Sequence, residues 1–277
     1  MGKPAAKELS TGRPRLADWL AAAGGSLASI FLPAGCRLCQ ELLTSVSRLP
    51  ICGQCLASFP RISGCICRVC GLPLDLTRDQ TAEVEGGDRS PTLCEQCRDD
   101  TYHFDCARSF ARYEDSLVRA IVLLKFEEMD PLADWFADRL AEVAVHPSRE
   151  MQADVIVPVP LHKDRHRERG FNQAELLSKR LARRLRLPHQ GLLLVRKRPR
   201  PNKLLLTNRE RWEAVRGAFA TRPGSQVDNK RVLLVDDVMT TGATLDACAR
   251  ALREAGATSV VGLTVARAIL NPRKVGR

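Results

Sequence analysis

The sequence predicts an α/β fold with a mostly parallel sheet, preceded by a small module that holds two metal ions. Three largely apolar runs, at 154–159, 232–236 and 259–266, are typical of strands that are buried on both faces. Helical patterns separate these runs, as they do when crossover helices join parallel strands. Four Cys-x-x-Cys pairs precede them, and 277 residues are enough for one such domain and a smaller module.

The charge of the chain points to anionic partners. The net charge is +11. Residues 161–216 contain seventeen Lys or Arg and five Asp or Glu, so the whole excess lies in this segment. A basic stretch is often only a solvated surface, but confinement to one segment favours a functional contact. Aromatic residues make up 5% of the chain, which argues against nucleic-acid recognition by base stacking.

The first 33 residues predict a disordered tail at 1–14 and an amphipathic helix at 15–33. The tail is polar and contains Gly and Pro, and apolar residues recur at helical spacing in the second segment. Asp18 and the pair Gly24 and Gly25 interrupt that segment, which is too short and polar to span a bilayer. No secretory signal is recognisable, so we expect a cytoplasmic protein whose cysteines stay reduced.

The cysteines predict a double zinc ribbon at 34–103. Their four pairs are Cys36 and Cys39, Cys52 and Cys55, Cys67 and Cys70, and Cys94 and Cys97. Twelve residues separate the first two pairs and twenty-three the last two, so each couple of pairs can surround one ion. Four thiolates in a tetrahedron suit Zn²⁺ and leave no open position for substrate, so both sites are expected to be structural.

Redox-active or unrelated cysteines are the alternative interpretation. A reducible dithiol would need a thioredoxin-like βαβ context, which this part of the sequence lacks. Cys65 lies two residues before Cys67 and could compete as a ligand, whereas Cys106 has no partner at this spacing and is interpreted as a strand residue. Residues 74–91 are polar and acidic, which indicates an insertion loop between two pairs.

The segment 104–270 predicts one domain of alternating strands and helices, followed by a basic tail at 271–277. Apolar residues alternate in its first strand and recur at helical spacing in its helices. Gly256 is placed to end the helix that precedes the last strand. The predicted elements are a strand at 106–113, helices at 117–125 and 131–145, a strand at 154–159, a helix at 171–186, a strand at 232–236, a helix from 245 and a strand at 259–266.

The basic loop 161–170 leaves the end of a predicted parallel strand. Its donors are Arg165, Arg167 and Arg169. Arg offers bidentate contacts to phosphate oxygens, so this loop is expected to bind a pyrophosphate. A solvated loop without a ligand is the alternative.

The stretch 231–245 predicts a phosphate cradle. Asp236 and Asp237 end the buried strand, where their carboxylates can accept hydrogen bonds from the vicinal hydroxyls of a ribose. The next loop opens a helix, whose N-terminus and backbone N–H groups attract an anion. Its residues are Thr240, Thr241, Gly242, Ala243 and Thr244. These features suit a ribose 5-phosphate; the alternative is an ordinary buried strand followed by a Thr-rich helix start.

This stretch resembles the phosphoribosyl-diphosphate (PRPP) signature of type I phosphoribosyltransferases. In that family the acidic pair holds the ribose hydroxyls, the following loop holds the 5-phosphate, and Mg²⁺ accompanies PRPP. The resemblance implies a sheet of the type I phosphoribosyltransferase type and a glycosyltransferase activity. The expected catalytic residues are Asp236, Asp237, Arg167 and Arg169, and Arg165 joins residues 240–244 in the binding set.

A narrower resemblance covers the chain from about residue 27 to residue 268. Its motifs are the cysteine pairs, Tyr113 with residues 125–126, residues 158–162, the Arg-Gly-Phe-Asn-Gln run at 169–173, residues 217–219 and the PRPP signature. Together they look like the ComF family, whose members join a zinc ribbon to a phosphoribosyltransferase domain. Relatives usually carry Gln near position 203 and Asn near position 214, where this chain has Lys203 and Ala214, close to a predicted flap at 196–211.

The resemblance implies two alternative functions. One is a phosphoribosyltransferase that binds PRPP with Mg²⁺ and transfers or hydrolyses the phosphoribosyl group. The other is a non-catalytic PRPP sensor that binds single-stranded DNA and other DNA-uptake proteins in natural transformation, with which several bacterial members are associated. The intact cradle favours the first. Type I relatives often dimerise, so a homodimer is also implied.

Overall fold

The structure, a computed structural model, describes residues 35–43, 48–74, 93–99, 102–126, 129–145, 151–199, 207–225 and 227–269. The predicted tail at 1–14, helix at 15–33 and basic tail at 271–277 lie outside these residues, as do most of the insertion loop and the centre of the flap. The chain divides into two compact units, 1–56 and 57–277. The division falls between the two predicted zinc sites, so the second site belongs to the unit that contains the sheet.

The described part of the first unit consists of two cysteine knuckles. A bridge between Gly35 and Leu42 closes the first knuckle, and the Gln40 N–H donates to the Cys36 carbonyl inside it (2.9 Å). The second knuckle leads into the short helix α1, Gly53–Ala57. The Arg37 N–H donates to the carbonyl of Pro50 (2.9 Å), so a backbone hydrogen bond joins the two knuckles.

A sheet of four parallel strands forms the centre of the second unit, which confirms the predicted fold class. The strands are β1 Cys106–Arg112, β2 Val155–Pro158, β3 Leu194–Arg196, β4 Phe219–Thr221, β5 Arg231–Met239 and β6 Ser259–Arg267, of which β3 and β4 lie in a separate sheet. The order in the four-stranded sheet is β1-β6-β5-β2. In β5, residues 232–235 are completely buried, as expected for a central strand that is covered on both faces.

The side chains of β5 point alternately to the two faces of the sheet, where helices pack. Val232 and Leu234 belong to a core cluster that includes Leu245 of the helix at 243–254, so the side chains of Leu233 and Val235 face the opposite way. The helices of this unit are α2 Glu95–Asp99, α3 Asp115–Phe126, α4 Asp130–Ala144, α5 Lys163–Arg169, α6 Gln173–Leu185, α7 Asn208–Glu213 and α8 Ala243–Glu254. Within the described ranges, no helix has both the length and the apolar character that crossing a membrane requires.

Residues 60–69 cover the outer edge of β1, the strand at one end of the sheet order. Their backbone bonds run from Arg112 N to Pro60 O (2.8 Å), from Ile62 N to Phe110 O (3.2 Å) and from Ala107 N to Val69 O (2.7 Å). Gly71 follows with φ of +65°, and a Cβ there would lie 2.5 Å from the Ala107 carbonyl oxygen. Glycine therefore lets the third cysteine knuckle lie directly against the sheet.

Strand β5 extends past the acidic pair, whereas the sequence pattern predicts that the pair ends it. Asp236 pairs with Thr264, and Met239 pairs with Arg267 of β6. The apolar run stops at the pair because one side of the strand opens toward solvent there, but the hydrogen bonds to β6 continue to residue 239.

The predicted basic loop contains a short helix, α5. The His162 side chain caps it by accepting from the Asp164 N–H (3.4 Å), and Gly170 ends it in a left-handed conformation with φ of +78°. Asp164 lies in the first turn, and Arg167 and Arg169 lie in the last, an order that the helix dipole favours. The residues at the two ends favour a helix here, although the lack of apolar periodicity predicts a loop.

The predicted flap is described only at its two ends. Strands β3 and β4 pair antiparallel, with Arg196 opposite Phe219. Before β4, helix α7 begins at a capping box, in which Thr207 Oγ1 accepts from the Glu210 N–H (3.2 Å) and the Glu210 carboxylate accepts from the Thr207 N–H (2.8 Å).

Candidate functional site

The chain leaves β2 and β5 at the same level of the sheet. Val235 of β5 is the register partner of Pro158, the last residue of β2. A cavity of about 270 Å³ lies at this carboxyl edge. Of the predicted site residues, Arg165, Arg169, Asp236, Asp237, Thr240 and Thr244 line it. The structure therefore brings the basic loop, the acidic pair and the predicted cradle to one cavity, as ligand sites of parallel sheets require.

The cradle turns at Gly242 in a conformation that other residues rarely adopt. Its φ is +86°, and a Cβ there would lie 2.9 Å from Met239 Cε and 3.2 Å from Tyr102 Cε1. The Ala243 N–H, at the start of α8, donates to Thr241 Oγ1 (3.3 Å). Thr241 and Ala243 line a small neighbouring cavity, to which Thr240 and Thr244 also contribute. The five cradle residues thus surround the N-terminus of a twelve-residue helix, where an anion is favoured.

The acidic pair combines a half-buried carboxyl, that of Asp236, with one that forms an ion pair, that of Asp237. Burial and the charge of Asp237 raise the pKa of Asp236 to about 7, against the opposing charges of Lys125 and Arg196. The Asp237 N–H donates to Asp236 Oδ1 (2.9 Å). Asp236 is therefore partly protonated near neutral pH, and its carboxyl can donate to or accept from a hydroxyl group.

Lys125 is a site residue that the sequence reasoning missed. Its Nζ lies 2.9 Å from Asp237 Oδ2, and the two side chains are 22% and 14% exposed. It also lines the cavity, as do Tyr113 and Arg196. A lysine in the last turn of a helix has a sufficient local explanation in the helix dipole, and its partner lies on a distant strand. Only the tertiary structure reveals the pair.

Asn172 and Gln173 hold the loop and helix ends together at this edge. Asn172 Nδ2 donates to the carbonyl of Val159 (3.0 Å), and its Oδ1 accepts from the Ala174 N–H (3.1 Å). Gln173 Nε2 donates to the carbonyl of Lys125 (3.1 Å). The two amides therefore connect the ends of β2 and α3 to the start of α6. This gives a structural reason for Asn and Gln at the end of the Arg-Gly-Phe-Asn-Gln run at 169–173.

The three predicted arginines do not share one face of α5. Arg165 and Arg169 are four residues apart and line the cavity, while Arg167 is exposed and is not among the lining residues. The Arg169 guanidinium donates to Gln173 Oε1 (3.2 Å). This leaves Arg165 and Arg169 as the arginines of this helix that can contact a ligand in the cavity.

The eight predicted metal ligands gather into two sets of four sulfur atoms, each set within 4.8 Å. A tetrahedron with Zn–S bonds of about 2.3 Å has edges of about 3.8 Å. The S–S distances are 3.9 Å for Cys36–Cys55, 3.7 Å for Cys39–Cys52 and 3.6 Å for Cys70–Cys94. Both sets therefore fit zinc, with the pairing that the sequence predicts. Cys65, Cys106 and Cys248 belong to neither set.

The first set also shows the N–H···S bonds of a metal knuckle. Cys36 Sγ accepts from the N–H groups of Leu38 (3.4 Å) and Cys52 (3.3 Å). Burial raises the pKa of Cys36, but the backbone N–H groups outweigh it and lower that pKa to about 6. A stabilised thiolate is the form that binds Zn²⁺.

Comparisons with known proteins agree with this architecture. The family model described as phosphoribosyl transferase domain matches residues 172–271. The chain is 31% identical over 226 residues to the competence protein ComFC of Bacillus subtilis. This match covers 78% of this chain and 84% of that protein. It is 29% identical over 232 residues to the DNA utilization protein YhgH of Escherichia coli K12, covering 83% and 95%.

A solved structure similar to this chain is the glutamine PRPP amidotransferase of B. subtilis, in complex with ADP and GMP. The two are 24% identical with a TM-score of 0.34, and the match covers 49% of this chain and 26% of that one. An adenine phosphoribosyl transferase of Trypanosoma brucei is 16% identical with the same TM-score, covering 56% and 73%.

Proposed function

The chain belongs to the ComF family, and on this premise we propose that its cavity binds PRPP with Mg²⁺ and supports transfer or hydrolysis of the phosphoribosyl group. One observation carries the proposal: Thr240 and Thr244 of the cradle, the acidic pair and two arginines line a single cavity of about 270 Å³. A phosphate, a pair of ribose hydroxyls and a pyrophosphate are the three groups that such a lining would recognise. PRPP carries all three on one sugar.

Each part of the lining has a role in this proposal. Residues 240–244 hold the 5-phosphate through backbone N–H groups and hydroxyls. Asp236 and Asp237 hold the ribose hydroxyls, and Lys125 keeps the carboxylate of Asp237 in place. Arg165 and Arg169 contact the pyrophosphate. Arg167, on the exposed side of α5, contributes positive charge at longer range.

The acidic pair also fits Mg²⁺. This ion keeps most of its waters and binds through one or two carboxylates together with substrate phosphates, and Asp236 and Asp237 provide that number of carboxylates. When bound, Mg²⁺ neutralises charge that develops on the pyrophosphate. Binding would favour the ionised form of Asp236, so the affinity for PRPP and Mg²⁺ is expected to rise with pH through about 7.

The proposed reaction breaks the bond between ribose C1 and pyrophosphate. The electron pair leaves with the pyrophosphate, and a nucleophile or water forms the new bond to the oxocarbenium-like C1. Arg165 and Arg169 stabilise the leaving charge, and the cradle holds the sugar in position. Positioning and electrostatics then provide most of the rate.

A second candidate function is supported by the relatives and by the charge. The relatives are named for competence and for DNA utilization, and residues 161–216 carry seventeen Lys or Arg against five acidic residues. In this version the domain binds PRPP without turnover and contacts single-stranded DNA during DNA uptake. Such contacts release counterions, so their affinity falls steeply with salt.

A first experiment tests the PRPP binding that both candidates require. Calorimetric titration with PRPP and Mg²⁺ is expected to show binding, and Asp237→Asn is expected to weaken it at least about tenfold because it removes a charged acceptor. The matched control is Asp228→Asn, which removes an exposed carboxylate just before β5, at the opposite end of that strand.

The products decide between the two functions. Release of pyrophosphate with a panel of nucleobases, lost in Asp237→Asn and kept in Asp228→Asn, would establish the enzyme. PRPP binding without pyrophosphate release, together with salt-sensitive binding of single-stranded DNA in both variants, would establish the second candidate. No heat with PRPP at any pH near neutrality would overturn both.

A further inference from the structure

Three consecutive carbonyl groups of the cradle are held from the buried side. Arg267 Nη1 donates to the carbonyls of Met239 (3.4 Å) and Thr240. The hydroxyl of Tyr102 donates to the carbonyl of Thr241 (3.2 Å). Arg267 is 2% exposed and Tyr102 is 9% exposed, so both contacts lie in the protein interior.

Both residues that bind these carbonyls are connected to the second cysteine cluster, which we define as Cys67, Cys70, Cys94 and Cys97. Arg267 Nη2 lies 3.7 Å from Cys70 Sγ, so one guanidinium contacts the cluster and the cradle at once. Tyr102 follows Cys97 by five residues and stacks on Phe104 at 4.6 Å. These two rings lie against the position that a Cβ of residue 242 would occupy.

This arrangement fixes the direction of the cradle N–H groups. In a trans peptide, a carbonyl and the N–H of the next residue point to opposite sides of the chain. Inward carbonyls at 239, 240 and 241 therefore turn the N–H groups of Thr240, Thr241 and Gly242 away from the interior. Successive N–H groups that point the same way form a site for an anion.

We propose that the second cysteine cluster positions the phosphate cradle through Arg267 and Tyr102, so that zinc in this cluster and a sugar phosphate in the cradle bind cooperatively. The inference rests on the proposed function, because it takes the cradle ligand to be the phosphate of a ribose 5-phosphate group. Four thiolates fixed by zinc hold Cys70 Sγ, and Cys70 holds the guanidinium. Linkage then requires that a bound sugar phosphate raise the affinity of this cluster for zinc, and we expect that gain to appear as slower loss of zinc.

Cooperative binding of zinc and sugar phosphate makes a prediction that a mere packing role for Arg267 and Tyr102 does not make. If Arg267 and Tyr102 only filled space, their polar groups would affect stability and leave zinc retention independent of the ligand. The first cysteine cluster, which we define as Cys36, Cys39, Cys52 and Cys55, provides the internal control, since its sulfur atoms fit the same ion and it belongs to the other compact unit.

The test uses the full chain loaded with zinc and ribose 5-phosphate as the probe. Zinc transfer to a chromogenic chelator is followed with and without the probe, in the wild type and in Cys39→Ser, which disables the first cluster. Ribose 5-phosphate is expected to slow transfer of one of the two ions in the wild type, and of the remaining ion in Cys39→Ser, by about fivefold or more.

Tyr102→Phe supplies the second measurement. It removes one hydroxyl and keeps the ring stack, so the variant is expected to fold. We expect about fivefold weaker binding of ribose 5-phosphate, the effect of one lost hydrogen bond, and an equal loss of the probe's effect on zinc. Ser58→Ala is the control, because it also removes one hydroxyl, which contacts Ser116 Oγ (3.1 Å), at a residue that is not among those lining the described cavity.

The outcomes separate the two proposals. Wild-type protein that binds ribose 5-phosphate, but loses zinc at the same rate with and without it, would overturn the inference and leave the proposed function intact. Unchanged affinity in Tyr102→Phe would overturn the role of that hydroxyl in the coupling. Wild-type protein that ignores both ribose 5-phosphate and PRPP would overturn both proposals.

Discussion

The two cysteine clusters each consist of two Cys-x-x-Cys pairs, but they differ in burial. In the first cluster Cys36 is buried, Cys39 is exposed, and the other two ligands are half-buried. All four ligands of the second cluster are buried and belong to the core that includes β5 and α8. A sequence motif therefore identifies a metal site without showing how much of the fold depends on it. The surrounding core decides that.

The sharpest test of this difference removes one ligand from each cluster. Cys70→Ser is expected to destabilise the second unit by up to about 10 kcal/mol, because structural zinc contributes that much to small metal-dependent folds. Cys39→Ser is expected to leave the main unfolding transition of the second unit within about 0.5 kcal/mol of the wild type. Differential scanning calorimetry with zinc analysis measures both.

Equal shifts of the main transition in the two variants would break the comparison. Loss of one zinc per chain in each variant, checked by mass spectrometry of the native protein, confirms that the substitutions act through the metal.

A second test concerns the packing between the cradle and the buried cluster. Gly242→Ala is expected to lower the free energy of unfolding by about 2–4 kcal/mol, since it combines a left-handed φ with a Cβ 2.9 Å from Met239 Cε. Gly224→Ala is the matched control, because Gly224 has φ of +78° with nothing near a Cβ. It is expected to cost only the backbone term, about 1 kcal/mol. Urea titration measures both, and equal costs would contradict tight packing under the cradle.

The burial difference also predicts different thiol reactivity. In the zinc-loaded protein, Cys39 is expected to react with iodoacetamide at least about tenfold faster than Cys70, because a buried ligand reacts only after local opening. Peptide mass spectrometry after timed alkylation gives both rates. Comparable rates would show that the second cluster opens as readily as the first.

The smallest expected effect concerns the acidic pair, which belongs to neither metal site. Burial and Asp237 raise the pKa of Asp236 to about 7, so the folded protein binds a proton that the unfolded chain releases. The contribution of Asp236 to the free energy of unfolding therefore falls as pH rises from about 4 to about 7. Asp236→Asn is expected to raise the melting temperature relative to wild type at about pH 8 and to do so less at about pH 5.

Asp154 provides a control of opposite sign. Its pKa is lowered to about 2 by Arg231, so its stabilisation is present above about pH 4 and is lost as pH falls toward 2. Asp154→Asn is expected to lower the melting temperature at neutral pH. A stabilising effect of Asp236→Asn that does not change with pH would contradict the raised pKa.

The sequence was sufficient for the features that depend on local patterns. Apolar runs predicted the parallel strands because both faces of such strands are buried, and Cys-x-x-Cys spacing predicted both sulfur tetrahedra. The end of β5 was placed too early because a strand can keep its hydrogen bonds after its side chains become polar. Helix α5 was missed because its ends are defined by His162 and Gly170 and not by periodicity.

The supports of the site required the tertiary structure. Lys125 reaches Asp237 across more than a hundred residues of sequence, and Arg267 reaches Cys70 across nearly two hundred. A lysine at a helix end and an arginine at a strand end are ordinary in sequence. Their partners are determined by how strands are ordered in the sheet.

The cover that residues 60–69 place over β1 has a consequence for how the protein is handled. This cover joins the sheet next to the second cluster, and it pairs backbone groups that an outermost strand would otherwise leave open to other molecules. An open strand edge is a template for aggregation. Strong chelators in purification buffers are therefore expected to turn a clear solution turbid, and added zinc is expected to prolong storage.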